Sequence, residues 1–159
     1  MKRIVFSVLT AGLIALAGAA VADSKTDKPY VSAVGEYNWN PKTSHYSTPV
    51  YATVQTMSIK RDDPKTGINV SQDVTLADGK KLDWSYDGPY DGKLQKREWM
   101  SFAFKRIKPD AFSNDYIMSD GTKGHEVATV SKDNITIRGS SWGKDGKKQP
   151  YVEVWDKVP

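Results

Sequence analysis

Apolar and polar residues alternate along most of this chain, in short runs separated by clusters of Asp, Gly, Asn, Lys and Pro. Alternation with a period of two puts successive side chains on opposite faces of a strand, so the runs predict β-strands; nothing sustains a helical period. Residues 35–40 form the first run, with Tyr37 and Trp39 on one face, and Pro41 ends it. Residues 51–61 form a long β-favouring run carrying Val54, Met57 and Ile59, and residues 62–67 read as a turn by composition. Ile68, Val70, Val74 and Leu76 then share one face, on which Gln72 is the polar member. Asp78-Gly79 supplies a tight hairpin turn, and Leu82, Trp84 and Tyr86 return on alternate positions.

The same logic continues to the C-terminus. Met100, Phe102 and Phe104 alternate with polar or small residues, Lys108-Pro109-Asp110 turns the chain, and Phe112, Tyr116 and Met118 share a face. Asp120-Gly121, Lys132-Asp133-Asn134 and residues 144–147 mark further turns, and the chain closes on Tyr151, Val152, Val154 and Trp155. The predicted fold is all-β: a single antiparallel up-and-down barrel of about eight or nine strands, since closure removes the exposed edges of a meander. A two-sheet sandwich is the alternative. The similar turn chemistry at Asp78-Gly79-Lys80-Lys81 and Asp145-Gly146-Lys147-Lys148 reflects two hairpins, not a duplicated domain.

The N-terminus changes the picture of where this domain works. Lys2 and Arg3 precede an uncharged apolar run from Ile4 to Ala19, and Ala20-Val21-Ala22 follows as a small-x-small cleavage pattern. Residues 1–22 therefore read as a cleaved signal peptide, 23–33 as a flexible lead-in and 34–159 as the barrel domain, periplasmic or secreted, with no membrane span in the mature protein. Cleavage leaves about 137 residues, enough for one core burying roughly two-thirds of the unfolded chain's surface. It lowers the formal charge from +4 to about +2, spread without a basic block, which argues against nucleic acid. The absence of cysteine excludes disulfides, thiol catalysis and thiolate metal sites.

Gly35-Glu36-Tyr37-Asn38-Trp39-Asn40, with Ser44 and Tyr46, resembles the opening of small exported bacterial lipocalin-like proteins. Gly35, Asn40 and Ser44 match that opening, Tyr37 and Tyr46 replace its Trp and Phe, Trp39 stands in place of Leu, and Thr43 in place of Lys. Asp78-Gly79-Lys80, Trp84, Tyr86, Tyr90-Asp91-Gly92-Lys93, Lys105-Arg106-Ile107, Val130-Ser131-Lys132-Asp133 and the closing residues 151–157 follow in similar order. The resemblance implies a barrel and little about function.

Motifs for chemistry are sparse. Asp87-Gly88-Pro89-Tyr90-Asp91-Gly92, closing at Glu98, meets part of the EF-hand calcium-loop spacing, but Pro89 brings no ligand oxygen and the flanks read as strands. His45 and His125 are the only imidazoles; a metal site with Glu126 would lack the short spacing of known pairs, so no metal is expected. Gly139-Ser140-Ser141-Trp142-Gly143 misses the nucleophile-elbow order. No catalytic residue and no cofactor is predicted. Five Trp, eight Tyr and four Phe remain as the signal. Tyr37, Trp39, Trp84, Tyr86, Phe102, Phe104 and Trp142 are the candidate interior wall, binding a small apolar or amphipathic molecule or filling a dry core. Two rival readings remain: an interaction or inhibitor module with a solid core and an outer patch near Trp142 or Tyr90, and an enzyme using His45 or His125 beside a carboxylate in a pocket.

Overall fold

The computed structural model describes residues 28–48, 52–97 and 99–159. The expected signal peptide, the start of the lead-in, Tyr51 and Glu98 lie outside the described residues. Eleven strands follow in chain order: β1 Gly35–Trp39, β2 His45–Tyr46, β3 Ala52–Asp63, β4 Gly67–Leu76, β5 Lys81–Gly88, β6 Gln95–Lys96, β7 Met100–Lys108, β8 Ala111–Met118, β9 Lys123–Val130, β10 Asn134–Trp142 and β11 Lys148–Lys157. The count exceeds the eight or nine expected because β2 and β6 are two-residue pairings inside segments that read as connections. No helix among the described residues is long and apolar enough to cross a membrane.

All pairings are antiparallel, in the order β5-β4-β3-β1-β11-β10-β9-β8-β7-β6, with β2 added to β11. β1 lies between β3 and β11, the last strand of the chain, joining N- and C-terminal halves into one sheet. The hairpins turn where Asp and Gly stand together. At Asp78-Gly79 and Asp120-Gly121 the glycine adopts φ +81° and +89°, which L side chains rarely do. In both turns the Asp Oδ1 accepts the N–H two residues on, at 2.9 Å.

The sheet curls, and its two edge strands, β5 and β6, are consecutive in the chain. No backbone ladder joins them among the described residues. Side chains bridge the seam instead: Trp84 lies 4.6 Å from Phe102 and Tyr86 4.6 Å from Phe104 between ring centres. Trp99 Nε1 donates to the Asp83 carbonyl at 3.0 Å, and Arg97 Nη2 to the Asp87 carbonyl at 3.0 Å. The inner face carries the core, including Tyr37, Ile59, Ile68, Val70, Tyr86, Phe102, Phe104, Ile135 and Trp155.

One end of the curl is closed by an ion pair that the sequence pattern conceals. Residues 62–67 read as a turn, yet β3 continues through Asp63, and a register shift between Ile59 and Arg61 breaks the alternation. That bulge turns Asp62 inward, where its side chain is fully buried. Arg106 of β7 meets it at 3.2 Å. Tyr90 Oη and the Ala33 N–H also donate to the Asp62 carboxylate, at 2.6 and 2.7 Å, and Arg106 Nη2 donates to the carbonyls of Val31 and Pro109. Residues 28–33, expected as a loose lead-in, therefore cross the closed end as a plug, with Ala33 buried and Val31 N–H bonded to the Pro109 carbonyl at 3.0 Å.

Removing one member of a buried charge pair leaves the other uncompensated, so Asp62→Ala is expected to cost about 3–5 kcal/mol. Urea unfolding of the variant against the parent checks this; a loss under about 1 kcal/mol would show that the closed end does not depend on the pair.

Candidate functional site

Above the plug the curled sheet lines an open-mouthed cavity of about 410 Å³, extending toward the turns at 77–80, 119–122 and 143–147. Its wall is divided by strand. Trp84 of β5 and Met100, Phe102 and Phe104 of β7 form an aromatic side along the seam, continued by Met57, Val70, Val74 and Leu76 of β3 and β4. Gln72, read from sequence as the polar member of its face, lines the cavity and donates to Gln55 at 2.7 Å.

The rest of the wall is polar, beginning beside the seam where Asn114 pairs with Phe104. Asn114, Glu126, Gly139, Tyr151 and Tyr46 occupy one cross-strand row through β8, β9, β10, β11 and β2. Tyr151 Oη donates to Glu126 Oε1 at 2.5 Å and Asn114 Nδ2 to Glu126 Oε2 at 3.1 Å. Tyr116 Oη lies 3.4 Å from Tyr151 Oη. One step along β11, Glu153 accepts from Tyr46 Oη at 2.8 Å and from Trp155 Nε1 at 3.1 Å. The Tyr46 and Tyr151 rings, each donating to one of the two carboxyl groups, stack 5.9 Å apart and 17° from parallel.

Two glycines make this row possible. A Cβ at Gly139 would stand 2.5 Å from the Tyr151 ring, and one at Gly124 would stand 2.0 Å from the Tyr116 ring. The missing side chains let each ring lie across the neighbouring strand, bringing its hydroxyl to Glu126 or to the other phenol.

Electrostatics follow from enclosure. The only ionised-type side chains in the wall besides the phenols are Glu126 and Glu153; no Lys, Arg or His lines it among the described residues. Burial raises the Glu126 carboxyl above its ordinary range, against the opposing pull of its bonds from Tyr151 and Asn114. Burial, then the neighbouring Glu126 charge, pushes Glu153 up to about 7. Burial likewise pushes the Tyr116 phenol up to about 12 and the Tyr151 phenol higher still.

Of the seven aromatic residues expected in the wall, Trp84, Phe102 and Phe104 line the cavity. Tyr37 and Tyr86 are buried in the packed part of the core, and Trp39 packs against that core and meets Tyr46 edge-on at 6.2 Å. Trp142 is a correction. Ile137 and Ser141 line the cavity, so Trp142 falls on the opposite face of β10, where Lys148 Nζ sits 5.9 Å from its ring. Tyr90 points into the closed end rather than forming an outer patch. His45 is exposed, and His125 meets Asp115 at 2.6 Å with both side chains more than half exposed, outside the cavity. In the loop beginning at Asp87, that carboxylate is already engaged by Arg61 and by Asn69 Nδ2.

No family model matches the chain, and no curated protein matches it in sequence. Among solved structures, it is similar to a secretary abundant heat soluble (SAHS) protein from Ramazzottius varieornatus, at 8% identity and a TM-score of 0.50, over 83% of this chain and all of that one. That likeness shows the fold alone: an antiparallel all-β sheet curled toward a barrel. A thioesterase II from Thermobifida fusca aligns at 8% identity with a TM-score of only 0.26, over 84% of this chain and 81% of that one, which supports nothing further.

Two outcomes follow from this geometry. Gly124→Ala forces the Tyr116 ring aside and is expected to destabilise by about 1–3 kcal/mol. The cost should shrink when Tyr116→Ala is combined with it, a non-additivity that a double-mutant cycle in urea measures. The second outcome is a pH dependence. A carboxyl at about 7 when folded and near 4.5 when unfolded binds its proton more tightly in the native state. Its contribution is full below about pH 4.5 and lost as pH rises through about 7, roughly 3 kcal/mol in all. Unfolding followed from about pH 5 to 8 should show stability falling, and Glu153→Gln should flatten the slope; an unchanged slope in the variant would remove Glu153 as its source.

Proposed function

We propose that this protein is an exported, non-catalytic binding barrel whose cavity takes one small apolar or amphipathic molecule. The observation that carries the reading is the two-sided, open-mouthed cavity itself: a volume of about 410 Å³, within the range of small-molecule sites, with an apolar body and a few convergent polar groups. The barrel likeness is compatible with this and supplies no ligand. The residues 1–22 carry the leader pattern that supports export to the periplasm or beyond. A surface-interaction module finds less support. The large apolar residues exposed among those described, such as Val54, Leu94, Ile107 and Val158, lie on different strands and loops. An enzymatic reading finds less support too, since the described imidazoles stand outside the cavity.

Native mass spectrometry of the protein recovered from the exported fraction of an expressing cell tests the reading. A bound species near one per chain, released by solvent extraction, is the expected result. Resupplying it at about a hundredfold over its dissociation constant should stabilise the protein by about 2.7 kcal/mol. A bare mass that stays bare after incubation with mixed lipids and small aromatics would overturn the reading and leave the cavity as a packing void.

A further inference from the structure

The same shell buries carboxylates in two different ways, and the contrast identifies a ligand charge. At the closed end Asp62 is matched by a guanidinium, Arg106. In the cavity Glu126 and Glu153 have only neutral donors, Tyr151 and Asn114 for one, Tyr46 and Trp155 for the other. A carboxylate accepts about four hydrogen bonds, so each retains unused acceptor capacity. Asn114, 5% exposed and part of the cavity wall, spends its amide N–H on Glu126 and leaves its Oδ1 without a partner among the described residues. The surplus on this side of the cavity is therefore in acceptors and negative charge, with no cation in the wall to answer it.

We infer that the molecule held in the cavity carries a protonated amine, placed between Glu126 and Glu153, with its apolar body against Trp84, Phe102 and Phe104. The inference rests on the binding-barrel reading above and specifies its ligand. An ammonium brings donors and no acceptor, which complements this surplus. The stacked Tyr46 and Tyr151 rings add faces that attract a cation. A ligand carboxylate would instead bring a third acidic group into an enclosed space that already holds two, and an apolar ligand without a head group would leave the acceptors unfilled.

The titratable groups facing the two carboxyls are the phenols Tyr116 of β8, Tyr151 of β11 and Tyr46 of β2. His125, next to Glu126 in the chain, is turned outward to Asp115, and β3, β4, β5 and β7 send no charged side chain into the cavity. Amine binding is then coupled to loss of a proton from the carboxyl pair, and affinity rises with pH through the neutral range.

The test compares decylamine, decanol and decanoate, three ligands with the same tail, by calorimetry and by the fluorescence of Trp84 and Trp99. At about pH 8 decylamine should bind the full-length mature protein at least about tenfold tighter than decanol, with decanoate weakest, and the advantage should fall to under about threefold near pH 5.5. Glu126→Gln with Glu153→Gln should collapse the amine-to-alcohol ratio, whereas Asp115→Asn, on the outer face, should not. The pH profile of the parent protein serves if the double variant fails to fold. Decanol binding as well as decylamine, or decanoate binding best, would overturn the charge assignment while leaving the binding barrel intact. No binding by any of the three would overturn both together.

Discussion

A curled sheet whose edge strands share no backbone ladder needs another means of holding its halves together, and the buried pair Asp62–Arg106 is the centre of it. Asp62 belongs to β3, on the N-terminal side of the sheet order, and Arg106 to β7, next to the far edge. The pair ties the two sides across the closed end, draws in Tyr90 from the connection between the edge strands, and anchors the chain before β1 through Val31 and Ala33. Burying two charges carries a desolvation cost that only dense hydrogen bonding offsets, and here both carboxylate oxygens and both terminal guanidinium nitrogens are engaged. With that end fixed, the aromatic contacts along the seam need only pack, and the cavity above them can stay open.

The consequence is a division of labour between two ends of one shell. Below, the buried carboxylate and guanidinium are matched to each other, with the Arg106 Nε left unpartnered among the described residues, which suits a structural role. Halfway up, the carboxyls of Glu126 and Glu153 are enclosed without a counter-ion, and the enclosure raises both toward the neutral form. A protein interior selected for stability alone would be expected to replace such a pair with apolar side chains of similar size. Its presence, with Tyr151 reaching Glu126 only because residue 139 is glycine and Tyr116 laid against Tyr151 over the glycine at 124, is easier to reconcile with a partner that arrives from outside.

Much of the fold was legible in the alternation of residues. The hairpins at Asp78-Gly79 and Asp120-Gly121, the inward faces of β4, β5, β7 and β8, and the position of Gln72 follow from period two and turn chemistry. What was not legible has specific causes. The bulge before Arg61 shifts the phase of β3 by one residue, so Asp62 faces inward although its neighbours Asp63 and Pro64 have turn composition. Trp142 reads as a wall residue when taken as an aromatic at an alternate strand position, but the preceding Gly139, Ser140 and Ser141 carry no apolar alternation, and the phase set by Ile135 and Ile137 puts it outside. Arg106, Glu126 and Glu153 continue the inner-face alternation of Phe102 and Phe104, of Ala128 and Val130, and of Tyr151 and Trp155. The logic that singled out Gln72 applies to all three: a charge in phase with an apolar face is a signal of burial, and a turn-rich context hid it.

That distinction bears on how far a fold can speak for function. At 8% identity, the likeness to the SAHS protein fixes a curled antiparallel shell and carries over no side chain of the wall. The seam aromatics and the acidic row belong to this sequence, and they occupy different strands of a single cavity wall, the aromatics on β5 and β7 and the two carboxyls on β9 and β11. A uniformly apolar wall would accept any molecule of suitable shape with little discrimination. A wall that is aromatic along β5 and β7 and acceptor-rich across β8 to β11 orients what it holds, because turning the ligand round would strand both its head and the carboxyls without partners. The asymmetry of the cavity, more than its size, is what argues for the proposed binding role over a gap in packing.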